Sequence, residues 1–452
     1  MSHATVSVAE RLADLVGPSR ILTDATAITT YEVDGCRPCA VLLPNSAAEI
    51  AEILRFASAE HLAVIPVGGK THLHIGMPPH RYDVAIDICG MNRVLAYEPR
   101  DLTLAVEPGI TYSDIDRRLQ ENRQFLPLGA AGKSATIAGM VAAAADGPLR
   151  YAYGTCKDFL LGLEFVTGEG IVSKSGGSVV KNVTGYELHK LFIGSLGTLG
   201  VITRLNFRTF PLPLARQMFV ISFERHSDAI VFCRQIVNSH LQPKILDVID
   251  PGAAALLADR GAGFLNRQSW FVIVQASGQE PVLKRHRQDL ASLAATLGAR
   301  EFLTLDETQR DQLFACLSQF SAIAFETTSV AAVLRIAALP GALTEIVEKV
   351  RKVTDQHELA CAALIRAHRI LYLALMPEDA RLYPKLVSCC RELMQLCLSS
   401  GAAAMIERCP AKMKAILDVW PSPGSEFEIA RRLKGVFDPH SVLSPGRFRG
   451  NI

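Results

Sequence analysis

Gly132, Lys133 and Ser134 spell GKS, the end of a phosphate-gripping loop, within LPLGAAGKSATIAGM (Leu126–Met140). A full P-loop reads G-x-x-x-x-G-K-[ST] and wraps phosphate in backbone N–H groups. Its first glycine would stand at position 127, where this chain has Pro127, and Gly129 is only three residues before Gly132. The preceding RRLQENRQF is polar and helix-like, where a P-loop needs a buried strand. Nucleoside triphosphate chemistry is therefore set aside. Four other glycine stretches could approach an anion. VGGKTHLHIG (Val67–Gly76) follows an apolar run and suits backbone N–H groups closing on a diphosphate. VEPGI (Val106–Ile110) reads as a tight turn, and TIAGM (Thr136–Met140) offers helix-start amides near Thr136 and Ile137. GSLGTLG (Gly194–Gly200) spaces its glycines every third residue, unlike the G-x-G-x-x-G of a dinucleotide-binding unit. Taken singly, each stretch is a turn marker.

His72 and His74 alternate, so on an extended chain they share a face, and His80 follows. A metal site could form there, but no acid lies within His72–His80, and loop histidines with no further role are the simpler reading. Cys36 and Cys39 make a C-x-x-C. Pro38 and the extended AVLLP beyond it supply neither the helix N-terminus that redox chemistry needs nor a second ligand pair for zinc. Eleven scattered cysteines, the adjacent Cys389 and Cys390 among them, read as small buried hydrophobes in a reducing compartment.

The elements that must position these residues come from a chain of 452 residues, long enough for two or three cores. Apolar residues make up 49% and charged residues 20%, the balance of an ordinary globular protein. A net charge of +2 leaves no footprint for nucleic acid or acidic lipid. The start, MSHATVSVAERLADLVG, lacks a basic segment followed by an apolar one, and IAGMVAAAA is too short to span a membrane. The expectation is a cytoplasmic protein without a signal peptide. Residues 5–16 have helical spacing, and Asn45–Ser46 should cap a helix running to about His61. Strands are expected at Ala63–Val67, in short stretches through RYDVAIDICGMNRVLAYEPRDLTLAVEPGI, and in a hairpin over LLGLEFVTGEGIVSKSG turning at Gly168 and Gly170. Thr111 or Ser113 caps a helix over TYSDIDRRLQENR, and ATIAGMVAAAA is a small-residue helix. LGVITRLNFRTFPLP ends in Pro211 and Pro213, the best domain boundary in the chain. Beyond it MFVISF, WFVIVQASG, AAVLRIAAL, AALIRA and RILYLALM read as strands between long helices, an α+β sheet covered on one face.

Together the glycine stretches are specific. Strand–VGGKTHLHIG, DLTLAVEPGITYSDIDRRL, ATIAGMVAAAADGPLRYAYGTCKDFLLGLEFVTGEG and KNVTGYELHKLFIGSLGTLGVIT occur in the order of the flavin-binding domain of the vanillyl-alcohol-oxidase (PCMH-type) family, which this chain resembles. The tail LKGVFDPHSVLSPGRFRGNI resembles the family's closing segment, usually F-D-P and then N-P-G-R. The resemblance covers about residues 36–213 and the C-terminal twenty. Within the family, KNVTGYELHKLFIGSLGTLG, IERCPAKMKAILDVW and FDPHSVLSPGRFRGNI are similar to the FAD-binding accessory subunits of bacterial glycolate oxidases. It implies an α+β FAD-binding domain of two subdomains at 1–213, an α+β cap at 214–425, and a returning segment at 426–452.

The resemblance also implies how FAD is held. Val67, Gly68, Gly69, Lys70, Thr71 and His72 would form the pyrophosphate loop, closed by Gly76. Lys70 stands where relatives carry a third glycine, so its ammonium meets the diphosphate or the loop is displaced. Covalent members attach flavin through a histidine where this chain has Thr71, so noncovalent FAD is expected, with His72 pointing to the other face. Pro108, Gly109, Gly129, Thr136, Ile137 and Gly139 would line the isoalloxazine and diphosphate. Gly154, Asp158, Gly200, Val201 and Ile202 would contact flavin or adenine, and Lys133 would be an exposed loop residue.

Oxidising a 2-hydroxy acid on flavin takes a cation for the carboxylate and a base for the hydroxyl proton. Relatives with D-2-hydroxyacid activity carry H-x-G-D-G-N-x-H and G-E-H-G, which assemble a metal and a base. Here LIRAHRILYLAL has only His368 at the first place, and IERCPAK keeps Glu407 but puts Arg408 and Cys409 for the histidine and glycine of the second. Leu196 stands where catalytic relatives commonly have glutamate. No metal is therefore expected. Arg335, Arg366 and His368, on strands expected to face the flavin, are the catalytic candidates, with sheet-edge charges as the bland alternative. The resulting expectation is an FAD-binding subunit of a glycolate (D-2-hydroxyacid) oxidase or dehydrogenase complex, working beside a catalytic flavin subunit and an iron–sulfur subunit. The iron–sulfur centre would belong to another chain, since no four-cysteine run occurs here. The complex could sit at the inner membrane through its partners. A stand-alone FAD oxidoreductase of another small alcohol or hydroxy acid, or a flavin-free structural subunit, remain alternatives.

Overall fold

Ser46 accepts a hydrogen bond from the Glu49 N–H and starts the helix Ala47–Ala59, whose Ile50, Ala51, Ile53, Leu54 and Ala57 are buried. They pack on a four-stranded sheet ordered Ile21–Leu22, Ala40–Leu42, Val84–Asp87, Val64–Val67. The last three run parallel, and their near-continuous apolar sequence is what a sheet covered on both faces requires. These elements belong to a computed structural model that describes residues 8–129, 132–177, 185–328 and 330–452. Residues 5–7 of the expected first helix, Ala130–Ala131 of the GKS loop and Lys181–Thr184 of the family-like stretch lie outside the described residues.

A second, antiparallel sheet follows, ordered Val94–Glu98, Thr103–Val106, Val201–Arg208, Leu160–Val166, Val172–Gly176. Its hairpin pairs Val166 with Val172 and turns through Gly168 and Gly170, the latter at φ 73°. Thr111 caps the helix Tyr112–Gln120 by accepting from the Asp114 N–H. One apolar cluster, running from Leu42 and Ile53 through Val106 to Phe165 and Leu205, joins both sheets into one core.

After Pro213 the chain builds eight antiparallel strands, ordered Glu301–Thr304, Ala215–Phe223, Trp270–Gly278, Ile245–Ile249, Cys361–Arg366, Ile370–Leu375, Ala332–Ala337, Ala403–Arg408. Glu301–Thr304, Ile245–Ile249 and Ala403–Arg408 were not expected as strands; each is short and broken or ended by a charged residue. The expected one-sided cover is also corrected. Helices His226–Val237, Glu280–Thr296, Leu343–Gln356 and Tyr383–Ser399 pack on one face. Pro251–Ala258, Glu307–Ser318 and Phe320–Glu326 cover part of the other. Strand alternation puts Leu334, Ile336 and Ile365 on the first face, and hence Arg335 and Arg366 on the second, among Leu364 and Tyr372.

The tail closes the molecule on its first sheet. Val64 N–H donates to Val442 O, Ser444 N–H to Val64 O, and Met77 N–H to Arg447 O. The edge strand Val64–Val67 is thereby covered rather than left open to pairing. Lys434, buried, binds Asp438 at 2.6 Å and the carbonyls of Thr198 and Leu443, while Asp438 accepts from the Val442 and Leu443 N–H groups.

Candidate functional site

Strand Val64–Val67 runs into Gly68–Gly69, where the chain meets a second loop at backbone distance. A Cβ on Gly69 would stand 1.6 Å from Ser134 O, and one on Gly68 2.1 Å from Thr136 Oγ1. Only glycine permits this approach. The cleft beyond encloses about 710 Å³, its open mouth included. Gly68, Gly69, Lys70, Thr71 and His72 form one wall. Thr136 and Gly139 join them from a second segment, and Gly200, Val201 and Ile202 from a third. The backbone N–H groups of Lys70, Thr71 and His72 have no partner among the described residues, which leaves three donors for an anion.

The other expected cofactor residues stand around the cleft rather than in it. Val67 ends the strand, its carbonyl accepting from Ile88 N–H. Pro108 O accepts from Ala138 N–H, and Ile137 N–H donates to Ile110 O, so of the expected helix-start amides that of Ile137 is spent in fixing the short helix Ile137–Ala142, while that of Thr136 has no partner among the described residues. A Cβ on Gly109 would stand 2.0 Å from Ile88 O; this glycine serves chain packing. Gly76 lies against Arg447 O, Gly129 against Gly147, and Gly154, at φ 77°, against Asp158. The Asp158 carboxylate completes the capping box of helix Cys156–Phe159 and does not line the cleft. Lys70 holds φ 62°, the conformation a glycine would favour, and its Nζ donates to Thr30 Oγ1 at 2.9 Å, 3.5 Å from the Tyr31 ring centroid. The expected ammonium–diphosphate contact gives way to this cation–π pair. Cleft residues unread in sequence include Ser195 and Arg447, whose guanidinium donates to Leu73 O and Ile75 O at 2.6 Å each, and Leu196, noted only for its lack of a carboxylate, lines the cleft too. Arg447 lies in SPGRFRG, so the tail motif carried that signal.

A second cavity of about 1070 Å³ adjoins the cleft, sharing Thr71, His72 and Ala143 with it. Arg335, Arg366 and Arg408 line it with His74, Asp146, Tyr372 and Glu407. Arg366 is fully engaged: it donates to Leu317 O at 2.5 Å, pairs with Asp247 at 3.4 Å, and lies 3.8 Å from Asp146. Asp146 also accepts from Tyr372 Oη at 3.0 Å and pairs with Arg150. Burial pushes the Asp247 carboxyl up to about 6 against the pull of Arg366. Arg335 and Arg408 make no ion pair among the described residues, and Arg408 Nε is buried without a partner. His368, the third catalytic candidate, is not on the cavity. Ala367 and His368 both hold φ 52° in the hairpin turn, so strand alternation ends at Arg366. The His368 ring feels Arg234 and Arg369 instead.

His72 does not turn away as expected. Its ring stacks on His74 with centroids 6.2 Å apart, and its Nδ1 lies 2.8 Å from Thr71 Oγ1. Burial, with Arg408 nearby, lowers His72 to about 4, and burial lowers His74 as well. Among the described residues no three His, Cys, Asp or Glu side chains are placed to hold a metal, and His80 packs on Gly446. No described helix is long and apolar enough to cross a membrane.

Residues 38–176 match the family described as FAD binding domain, and residues 212–401 the C-terminal domain of FAD linked oxidases. The chain belongs to the FAD-linked oxidases. It is 23% identical to glycolate oxidase subunit GlcD of Bacillus subtilis, over 98% of this chain and 97% of that one. It is 26% identical to the mitochondrial D-lactate dehydrogenase [cytochrome] of Arabidopsis thaliana, over 91% of this chain and 73% of the other. The fold is that of p-cresol methylhydroxylase, with a TM-score of 0.80 at 16% identity, covering 97% of this chain and 95% of that one. The PCMH-type α+β architecture and FAD as cofactor follow. The glycine cradle and the three unpartnered N–H groups fit a diphosphate, and the cleft's apolar lining by Ile88, Ala138, Ala142 and Val201 fits a flat ring system.

Proposed function

We propose that this chain is the FAD-binding subunit of a complex that oxidises glycolate or another D-2-hydroxy acid. The observation behind it is the arginine-lined cavity that meets the flavin cleft at His72. Arg335 and Arg408, cations without an ion pair among the described residues, suit a carboxylate, since a buried charge is stable only when paired. Relatives named for glycolate and D-lactate act on the same class of acid. When bound, FAD supplies the acceptor for hydride. The protein's part is to hold FAD noncovalently over Gly68–His72, fix the carboxylate with Arg335 and Arg408, and keep those cations in place through Arg366, Asp146 and Tyr372. The electrons would leave through a catalytic flavin subunit and an iron–sulfur subunit. The second reading is a stand-alone oxidoreductase, favoured by the same free cations, since they equip this chain for its own turnover.

The test is the visible spectrum of the purified chain before and after anaerobic addition of glycolate or D-lactate. Flavin bands that persist until partner subunits are added support the complex. Bands that bleach with substrate alone favour the stand-alone enzyme. No flavin after reconstitution leaves a structural subunit and overturns both.

A further inference from the structure

We propose that His72 accepts the hydroxyl proton of a 2-hydroxy acid in this cavity without a metal ion, Thr71 holding its ring in the required tautomer. This rests on the oxidoreductase reading above and assigns the base within it.

The geometry singles out His72. A base for alcohol oxidation must reach the substrate oxygen while the neighbouring C–H faces the flavin. Thr71, His72 and Ala143 are the residues common to the cleft and the cavity, and of these only His72 is a base. Its Nδ1 is 2.8 Å from Thr71 Oγ1, the one side-chain hydrogen bond of His72 among the described residues. With Nδ1–H donating to Thr71, Nε2 carries the lone pair. The other titratable groups of the cavity are less suited: His74, whose Nε2 is buried without a partner among the described residues, lines the cavity but not the cleft. Tyr372 Oη donates to Asp146, and Asp146 is already paired with Arg150. Glu407 lines only the cavity, away from the cleft.

Burial, and then Arg408 from strand Ala403–Arg408, disfavours the charged form of His72, and burial with Arg408, Lys414 and Arg447 does the same for its stacking partner His74, Lys414 being paired with Asp34. An empty cavity therefore keeps the imidazole neutral and ready to accept. A carboxylate drawn in by Arg335 and Arg408 cancels part of that field and raises the basicity of His72 as substrate arrives. In the step itself the substrate O–H bond breaks with its proton passing to Nε2. Bound oxidised FAD would supply the acceptor for the hydride of the C–H bond, leaving the carbinol carbon as a carbonyl. The proton then leaves His72 for solvent.

The experiment compares wild type, His72→Gln, Thr71→Val and Glu407→Gln, each loaded with FAD and, where wild type needs them, its partner subunits. Flavin content and thermal melting first establish that each variant is folded and loaded. Anaerobic flavin reduction by glycolate or D-lactate is followed against pH. His72→Gln should slow reduction at least about 100-fold while keeping flavin, and Thr71→Val should slow it about tenfold with a shifted pH profile. Oxalate, a dead-end dicarboxylate, should move the His72 imidazole NMR signal of wild type and still bind His72→Gln. An unchanged rate in His72→Gln, loss of reduction in Glu407→Gln alone, or loss of wild-type reduction on chelator treatment each overturns the proposal. Wild type that no 2-hydroxy acid reduces, with oxalate leaving His72 unmoved, overturns the functional reading itself. An oxalate shift at His72 without reduction would locate the failure in the substrate class and keep the histidine on the anion.

Discussion

The flavin cleft is walled by backbone and the cavity beside it by side chains, though they meet at Thr71, His72 and Ala143. In the cleft, Gly69 approaches Ser134 O so closely that no Cβ fits, and the free donors are main-chain N–H groups. In the cavity, Asp146 comes from the first half of the chain and Arg335, Arg366, Tyr372 and Arg408 from four separate strands of the second. A backbone cradle depends on the absence of atoms and tolerates almost no substitution. A side-chain cavity depends on charges that offset one another, so a change at one position can be compensated at another. The two regions should therefore fail differently.

The largest effect should come from Gly69→Ala. The added methyl would overlap Ser134 O, forcing two loops apart, and about 4 kcal/mol or more of stability should go with most of the bound flavin. Flavin occupancy and a denaturant melt measure it; a loaded, wild-type-like variant would mean that the cradle can relax.

Arg366→Met comes next. It strands Asp247, buried and fully shielded, and should cost about 3–5 kcal/mol. Adding Asp247→Leu should restore most of it, which no second substitution should do for Gly69→Ala. Lack of recovery in the double variant would show that Arg366 works through Leu317 O and Asp146 rather than Asp247.

A smaller effect concerns pH. Burial raises Asp250 from 3.8 to about 6, although its Oδ1 accepts from the Ala253 and Ala363 N–H groups. A carboxyl raised in the folded state contributes its stability fully below its unfolded value and loses it as pH climbs through about 6. Wild type should thus lose stability between about pH 4 and about pH 6 through this group. Asp250→Asn keeps the acceptor oxygen and should flatten that slope by about 1–3 kcal/mol. Urea melts at both pH values decide it, and an unchanged slope would remove Asp250 as the source.

The smallest effect should be Lys70→Gly. Relief of a left-handed lysine, about 1 kcal/mol, is set against loss of the contact with Tyr31. Stability should move by under about 1 kcal/mol with flavin affinity unchanged. A tenfold loss of affinity would bring the ammonium back to the diphosphate and make the cleft less purely a backbone site.

Much of the cleft was legible because its determinants are local. VGGKTHLHIG names five consecutive residues of one wall, and GSLGTLGVI supplies Gly200, Val201 and Ile202. Misplaced residues were those whose role is to hold neighbours: Asp158 caps a helix, Gly109 admits Ile88 O, and Ile137 spends its N–H on Ile110. In the cavity, Arg335 and Arg366 could be placed by strand period, but His368 could not, because a turn of two left-handed residues interrupts the alternation. Arg408 looked like the loss of a motif, and only the tertiary structure places it on the cavity near His72.

By itself the sequence determined the PCMH-type α+β frame and the glycine cradle, since close backbone approach and strand period are written in adjacent residues. Tertiary structure alone decided which charges are spent and which are free. Arg366 and Arg335 lie on the same face of two strands that flank Ile370–Leu375 in one sheet, yet Asp247 and Leu317 engage only the first. It also decided that His72 stands between two cavities, because the strand Ala403–Arg408, more than 300 residues downstream, brings Arg408 to that loop. The field at a buried imidazole is summed over space, and the order of residues along the chain does not carry that sum.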